Sequence, residues 1–294
     1  HLGTNGGGFL GANSSTPLEN PTIISNLIEL YSMMLLPGAC VITFGKMVRD
    51  RERDMTAKRA TLDEEDALAA KGKIRRSLTV WMYGREGRSI FAAMGIIFVI
   101  GLGVCFWAES QGNPALADVG LSQSMGSMAG KEVRFGIAQS AMFTTTTTSF
   151  TTGTVNNMHD TLTPLGGMIP MLLMQLGEVI FGGTGCGLYG MLAFAILTVF
   201  IAGLMVGRTP EFLGKKIEPY EMKWSVLVCL ATPIAILVGR GIAAAVPEVM
   251  DSLNNGGAHG FSEMLYAYTS GGGNNGSAFA GFNANTVFIS VSIG

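Results

Sequence analysis

The segment SIFAAMGIIFVIGLGVCFWA, residues 89–108, contains 20 consecutive residues without a charge. An α-helix of that length crosses about 30 Å of hydrocarbon, the thickness of a bilayer core. Three further segments have the same character. Residues 182–207 carry no charge, residues 224–239 are uncharged but shorter, and residues 22–45 contain a single charge, at Glu29. The sequence therefore predicts an all-α polytopic membrane protein with the lipid bilayer as its solvent.

The overall composition points the same way. Hydrophobic residues make up 48% of the 294 residues and charged residues only 14%, whereas soluble domains carry about 25% charged residues. A net charge of −2 argues against binding to nucleic acid. The four cysteines are far apart in apolar contexts, so we interpret them as small core residues rather than metal ligands.

Positive charges are concentrated in two loops. Of the 19 Lys and Arg residues, 12 lie between residues 46 and 88, and four more lie between 208 and 223. The positive-inside rule places both loops in the cytoplasm and residues 109–132 and 247–260 outside.

Residues 161–207 are too long for one straight helix, because 47 residues would extend about 70 Å. A hairpin of two helices would place Lys215 and Lys216 on the wrong side. We therefore expect a single crossing made of two half-helices, broken at GGTGCGLYG, residues 182–190. The same stretch matches G-x-G-x-x-G at 185–190, but no strand precedes it, so nucleotide binding is not expected there.

Two segments on the outer side carry too many hydroxyl groups to face lipid: residues 135–152 and 260–270. A full span at either place would reverse the charge sidedness, so each is predicted to be a re-entrant helix that ends in a Gly-rich strand. Residues 4–13 (TNGGGFLGAN) match residues 274–283 (NNGSAFAGFN) at an offset of 270, and a third Gly strand surrounds Gly153. Successive copies are thus 147 and 123 residues apart, which predicts repeated span–re-entrant pore helix–span modules around a central filter.

Gly-rich strands that lie beside a common axis are suited to binding a monovalent cation. Their carbonyl oxygens replace the hydration shell of a monovalent cation, and glycine permits the unusual backbone angles that this requires. The hydroxyls of Thr4, Thr152 and Thr154 are further candidate ligands. The three strands contain no Asp or Glu, which argues against a divalent cation.

Several long motifs resemble the A-subunit (KdpA) family of bacterial Kdp potassium-transporting P-type ATPases. They are GTNGGGFLGANSSTPLENPT (3–22), QGNPAL with KEVRFG (111–136), MHDTLTPLGGMIPMLLMQLGEVIFGG (158–183), IAGLMVGRTPEFLGKKIE (201–218), and HGFSEMLYAYTS followed by NNGSAFAG (259–281). The resemblance implies four repeats around one K⁺ filter, with strands two to four in this chain. The implied filter residues are Thr4, Asn5, Gly6, Thr152, Gly153, Thr154, Asn274, Asn275 and Gly276.

The resemblance also implies an organisation. The expected boundaries are a filter strand and outer loop (1–21), a span closing the second repeat (22–45), a cytoplasmic loop (46–88), the third repeat (89–207), a cytoplasmic loop (208–223) and the fourth repeat (224–294). Because the chain opens inside a motif and stops at NTVFISVSIG, we expect it to be a piece of a longer protein. Residues 46–88 are longer than the loop implied by the family, and the third strand, TTGTVNN, departs from its common form.

The implied function is that of a potassium-selective binding and translocating subunit that is not catalytic on its own. ATP hydrolysis would lie on a P-type ATPase catalytic subunit, with small accessory subunits, in the bacterial cytoplasmic (inner) membrane and with the filter mouth facing outside. No nucleotide is expected on this chain, which has neither a D-K-T-G motif nor a Walker A motif. Below the filter, the implied gate or ion path comprises Glu178, Gly182, Gly183, Gly185 and Gly187.

Several polar residues need separate interpretation. Glu178 is either a cation-attracting or gating carboxylate, or a residue that only caps a helix or pairs within the helix bundle. His159-Asp160 suggests metal or proton chemistry, or, as we favour, a hydrogen-bonded pair that pins the strand. Glu19 and Glu263 would attract cations or cap helices, and Arg240 would reach towards the membrane surface.

Two other functions compete with the main hypothesis. A Trk/Ktr/HKT-like passive or ion-coupled K⁺/Na⁺ transporter would share the filter. A membrane enzyme using His159, Asp160 and Glu178 would leave the repeated Gly strands unexplained, and neither H-E-x-x-H nor H-x-x-E-H occurs.

Overall fold

The computed structural model describes residues 6–7, 13–60, 85–279 and 282–294 of the chain. The helices among them are α1 (Ile23–Ala60), α2 (Arg85–Ser110), α3 (Pro114–Asp118), α4 (Gly136–Ser149), α5 (Pro164–Gln175), α6 (Cys186–Val206), α7 (Pro219–Ala243), α8 (Pro247–Asp251), α9 (Gly257–Gly273) and α10 (Val287–Ile293). Two short strands, β1 (Glu211–Phe212) and β2 (Lys215–Lys216), form an antiparallel hairpin after α6.

Four segments of the described chain are long and apolar enough to cross a membrane: Ile23–Asp50, Glu86–Asp118, Cys186–Val206 and Pro219–Ala243. The prediction of an all-α polytopic membrane protein is confirmed. Helix α1 continues through Pro37, a residue that membrane helices tolerate when neighbours satisfy the freed backbone groups.

Helix α1 also extends 15 residues past position 45, into the segment predicted as a loop. The physical reason is that charged residues do not end a helix in water. Arg, Lys, Glu and Ala are good helix formers, and neither Gly nor Pro occurs between residues 46 and 60.

The predicted break between the two half-helices of residues 161–207 needs a correction. Helix α5 ends at Gln175 and α6 begins at Cys186, so the break is residues 176–185 rather than 182–190. Backbone angles explain the shift, because Gly177, Glu178, Phe181, Gly182 and Gly185 all have positive φ and cannot continue a helix. Gly187 and Gly190 lie in the first turns of α6, where glycine is tolerated.

The helices pack as two groups that meet at the re-entrant elements. Helix α2 contacts α1, α4 and α5, while α9 contacts α5, α7 and α10. The larger apolar core includes Met94, Phe98, Phe150, Leu173 and Phe181. The rings of Phe150 and Phe181 stack with centroids 5.0 Å apart, so the end of α4 is packed directly on the break.

A buried ion pair fastens the segment before α4 to the end of α2. Lys131 Nζ lies 2.6 Å from Glu109 Oε2, and both side chains are fully buried. The other carboxylate oxygen of Glu109 accepts hydrogen bonds from the backbone N–H and the hydroxyl of Thr163, which caps α5. Lys131 also forms an antiparallel bridge with Asn157, so the chain entering α4 is held against the chain that follows the third glycine strand.

Candidate ion-binding site

The glycine strands that follow helices α4 and α9 start with the same backbone geometry and converge on one point. Each helix is followed by a residue in the left-handed region, Thr151 (φ +53°) and Asn274 (φ +59°). The next backbone N–H then donates to a carbonyl inside the helix: Thr152 N to Thr147 O at 3.0 Å, and Asn275 N to Ser270 O at 2.9 Å. All these positions are related by 123 residues, the spacing between the two Gly strands in the sequence.

This correspondence sets the register of the third strand against the fourth. Thr152 aligns with Asn275 and Gly153 with Gly276, while Asn274 occupies the turn between helix and strand as the C-cap of α9. The equivalent turn residue of the third strand is Thr151, which the sequence analysis did not single out. Only the structure identifies it, because a threonine in the left-handed region has no distinctive sequence signature.

Three glycines, Gly6, Gly153 and Gly276, meet where the strands converge. Their φ angles are +68°, +77° and +91°, and Gly6 N donates to Thr152 O at 2.8 Å. A Cβ on Gly6 would lie 2.9 Å from Gly276 O and 3.0 Å from Gly153 O, and a Cβ on Gly153 would overlap Asn275 O. The carbonyl oxygens of three residues therefore lie beside bare glycine backbone. The predicted residues Thr4 and Asn5 lie outside the described residues.

The side chains of these strands are engaged in the surrounding wall. Asn275 Nδ2 donates to Thr147 O at 3.0 Å, and its Oδ1 accepts from the backbone N–H and the hydroxyl of Ser277. Thr154 Oγ1 lies 3.1 Å from Ser14 Oγ, and Ser14 in turn donates to Glu29. With the side chains bonded outwards, the backbone carbonyls are the oxygens available where the strands meet.

The electrostatics of the convergence point favour a cation. Helices α4 and α9 both end beside it, and the C-terminal end of a helix carries roughly half a negative charge. The strands themselves have no charged side chain between residues 151 and 158 or between 274 and 279.

The break between α5 and α6 lies next to both pore helices. Gly182 N donates to Ser149 O, the last residue of α4, at 2.9 Å. A Cβ on Gly273, the last residue of α9, would lie 3.3 Å from the Glu178 carboxylate. Glu178 is 3% exposed, and the side chains of Thr151 and Asn275 lie beside its carboxylate. The sequence placed Glu178 before the break, whereas it lies inside it.

The glycines of the break permit close backbone packing. A Cβ on Gly182 would overlap Gly187 Cα and Glu178 O, and a Cβ on Gly187 would overlap Phe181 O. Gly183 is buried within the break. Gly185 is the N-cap of α6 at φ +91°. The five residues predicted as a gate or ion path thus lie in or next to the break, beside the ends of α4 and α9.

A family model described as potassium-transporting ATPase A subunit matches residues 1–61 and 79–294. The chain belongs to the potassium-transporting ATPase A-subunit family. The residues left unmatched, 62–78, lie inside the long charged segment 46–88.

Curated relatives of this A-subunit chain carry the name potassium-transporting ATPase potassium-binding subunit. The protein from Clostridium botulinum strain Alaska E43 is 57% identical over 299 residues, which is 100% of this chain and 46% of the relative. The Clostridium perfringens protein is 55% identical, with the same coverage. The Listeria monocytogenes EGD-e protein is 50% identical over 290 residues, 99% of this chain and 45% of the relative. The chain therefore spans somewhat less than half the length of these relatives.

Two polar residues of this A-subunit chain, His159 and Asp160, pair differently from the expectation. His159 and Asp160 each contact α9 or the loop before it. His159 Nδ1 lies 2.8 Å from Tyr266 Oη, and Asp160 Oδ1 lies 2.8 Å from His259 Nε2. Burial, with a smaller contribution from Lys131, lowers the pKa of His159 to about 3, so its ring is neutral. The partners of both residues are about 100 positions away, beyond the reach of local sequence patterns.

Glu263 and Arg240 each have contacts that indicate a structural role. Glu263 is fully buried and accepts hydrogen bonds from the backbone and side chain of Asn255, so it anchors the loop before α9. The guanidinium of Arg240 lies 3.5 Å from the centroid of the Phe261 ring, an arrangement typical of a cation–π contact.

Proposed function

We propose that this chain supplies three strands of a potassium-selective filter and acts within the binding and translocating subunit of an ATP-driven K⁺ uptake complex. The observation that carries the proposal is the convergence of Gly6, Gly153 and Gly276, which brings backbone carbonyls together at the ends of two pore helices. Neutral carbonyl oxygens suit a weakly hydrated monovalent cation. Thr4, Asn5, Thr152, Thr154, Asn274 and Asn275 complete the proposed set.

Membership of the A-subunit family favours the ATPase subunit over a Trk/Ktr/HKT-like transporter. In this proposal the chain is not catalytic, binds no nucleotide, and assembles with a P-type ATPase catalytic subunit and small accessory subunits. The concentration of Lys and Arg in residues 46–88 and 208–223 supports a bacterial cytoplasmic membrane location with the filter mouth outside.

The break at residues 176–185 is proposed as the gate on the ion path. Glu178 supports this role because a buried carboxylate beside the proposed filter attracts a cation. Gly182, Gly183, Gly185 and Gly187 support it by allowing the backbone to pack closely there.

The test compares Gly6→Ala with Gly7→Ala in the full-length protein assembled in its complex. Both glycines have positive φ, so the backbone strain is alike. A Cβ on Gly6 meets two carbonyl groups at 2.9–3.0 Å, whereas on Gly7 it meets only Asn13 Oδ1 at 3.8 Å. We expect Gly6→Ala to weaken the apparent K⁺ affinity of ATPase activity at least about tenfold, or about 1.4 kcal/mol, and to reduce the preference over Na⁺.

Gly7→Ala should retain most of the K⁺ affinity and the ion preference. If Gly6→Ala leaves both quantities at the wild-type level, the filter assignment is wrong. In the same assay, Glu178→Gln should slow K⁺-stimulated turnover more than Glu211→Gln, which alters an exposed carboxylate in the β1–β2 hairpin.

A further inference from the structure

A cluster of metal-ligand side chains lies where the turn after the third strand meets the start of α9. It consists of Asp160, His259 and Glu263, and we call it the 160/259/263 cluster. One ligand atom from each of the three lies within 4.8 Å of the others. His259 and Glu263 are four residues apart on α9, so they share one face of the helix.

The cluster concentrates negative charge with little compensation. No Lys or Arg in the described ranges forms an ion pair with Asp160 or Glu263. The two carboxylates are bridged only by the Asn255 amide, which donates to Asp160 at 3.2–3.3 Å and to Glu263 at 2.6 Å. Glu263 is fully buried, and a buried carboxylate close to another is costly unless a cation joins them.

The ligand types select the kind of cation. Two carboxylates and one imidazole balance a divalent charge, and imidazole favours Zn²⁺ and its neighbours over Mg²⁺ or Ca²⁺, which prefer oxygen ligands. Three protein ligands with an open fourth position are typical of Zn²⁺ sites that also bind water. His259 Nε2 and Asp160 Oδ1 are 2.8 Å apart, so a shared metal requires only a small adjustment there.

A cavity gives access to the cluster and contains a second, independent sign of a ligand. Its volume is about 500 Å³, and its walls include Asp160, His259 and His159. His159 is 1% exposed, yet its Nε2 has no hydrogen-bond partner among the described residues. An imidazole nitrogen left without a partner in the wall of this cavity fits a water held on a bound metal ion.

We propose that Asp160, His259 and Glu263 form a divalent transition-metal site, with Zn²⁺ as the best-fitting ion and its open position towards the cavity. The metal takes the place of the Asn255 amide between the two carboxylates. It joins the turn that follows the third strand to the pore helix of the fourth repeat. This site is separate from the proposed K⁺ filter and does not depend on it.

The test uses the full-length protein in its purified complex, stripped with a chelator and titrated with Zn²⁺ against a chromophoric competitor, without ATP. We expect one Zn²⁺ per chain. His259→Gln and Asp160→Asn should each weaken binding by about 100-fold or more, since losing even a residue that only hydrogen-bonds to a metal ligand costs about 10- to 100-fold. The matched control is Glu248→Gln, which removes an exposed carboxylate in α8 and should leave the affinity unchanged.

Two further readouts make the result decisive. Co²⁺ in place of Zn²⁺ should give the visible spectrum of a four-coordinate site in the wild type and lose it in His259→Gln. K⁺-stimulated ATPase activity of each variant verifies that it is folded. Zn²⁺ affinity that is the same in wild type and His259→Gln, or no binding tighter than about 100 μM (about −5.5 kcal/mol), overturns the proposal. Gly6→Ala should bind Zn²⁺ normally, so failure of the filter and failure of the metal site are distinguishable.

Discussion

Helices α4 and α6 show that this protein buries its polar helix and exposes its apolar one. Nine of the 14 residues of α4 are buried, and seven of those nine are Ser or Thr. Of the 21 residues of α6, only Gly187, Leu188 and Ala193 are buried. In a soluble protein the order would be reversed, because water rather than lipid would cover the outside. The polarity of a helix here predicts its distance from the lipid.

The contrast extends to how hydroxyl groups are satisfied. In α6, Thr198 is exposed and donates to Phe194 O of its own helix. In α4, Thr144 donates to the side chain of Asn157, which follows the third glycine strand. Thr145 and Thr148 of α4 donate to carbonyls of their own helix, as Thr198 does in α6. The Thr144 hydroxyl therefore links the buried helix to a neighbouring segment, which the Thr198 hydroxyl does not.

The largest effect is expected where a charge is buried beside α4. Lys131→Met leaves Glu109 without its cation in the interior, and breaking such a pair costs about 3–5 kcal/mol of unfolding free energy. Equilibrium unfolding of the full-length protein in mixed micelles measures the loss. Adding Glu109→Gln should recover part of it. A loss below about 1 kcal/mol, the value of an exposed pair, would contradict the buried pairing.

Placing a charge on the apolar helix α6 should cost slightly less free energy than leaving Glu109 buried without its cation. Thr198 lies near the middle of α6 and is exposed. Lys at the centre of a membrane helix raises the apparent insertion free energy by about 2.5–3.5 kcal/mol. Thr198→Lys should therefore lower the fraction of α6 that inserts in a glycosylation-mapping assay, with Thr198→Val inserting at least as well as wild type. Equal insertion of both variants would mean that this face of α6 does not contact lipid.

The smallest expected effect compares the same substitution on both helices. Thr144→Val removes the donor to Asn157 and leaves a buried acceptor unsatisfied, which costs about 1–3 kcal/mol. Thr198→Val should change the unfolding free energy by no more than about 0.5 kcal/mol. The two variants differ only in location, so equal losses in micelle unfolding would remove the distinction between the two helices.

Much of the fold is predictable from the sequence, because uncharged segments indicate the membrane spans and Gly-rich segments indicate the strands. The uncharged segment 89–108 lies within α2, and the hydroxyl-rich segments 135–152 and 260–270 each contain most of a pore helix. The register that aligns Gly153 with Gly276 comes from the structure, which shows equivalent turns at Thr151 and Asn274.

Other features depend on contacts that no local pattern records. The break begins at Leu176 and not at the Gly-rich run, because Gly177 and Glu178 already leave the helical region. The pairing of Glu109 with Lys131 requires the chain after α2 to fold back onto the end of that helix. The 160/259/263 cluster unites residues about 100 positions apart, so the sequence offers His159-Asp160 as a pair although their partners lie on α9.

The length and polarity of α4 have a consequence for the order in which the protein is made. A helix of 14 residues is about 21 Å long, which is less than the hydrocarbon thickness. Its many hydroxyl groups make transfer of its surface from water to lipid unfavourable. Its partners are α1 and α2, synthesised before it, and α5, synthesised after it. We therefore expect α4 to reach its final position only after α5 has been synthesised. Insertion of residues 89–207 then depends on packing among helices, and not on the insertion of one helix after another.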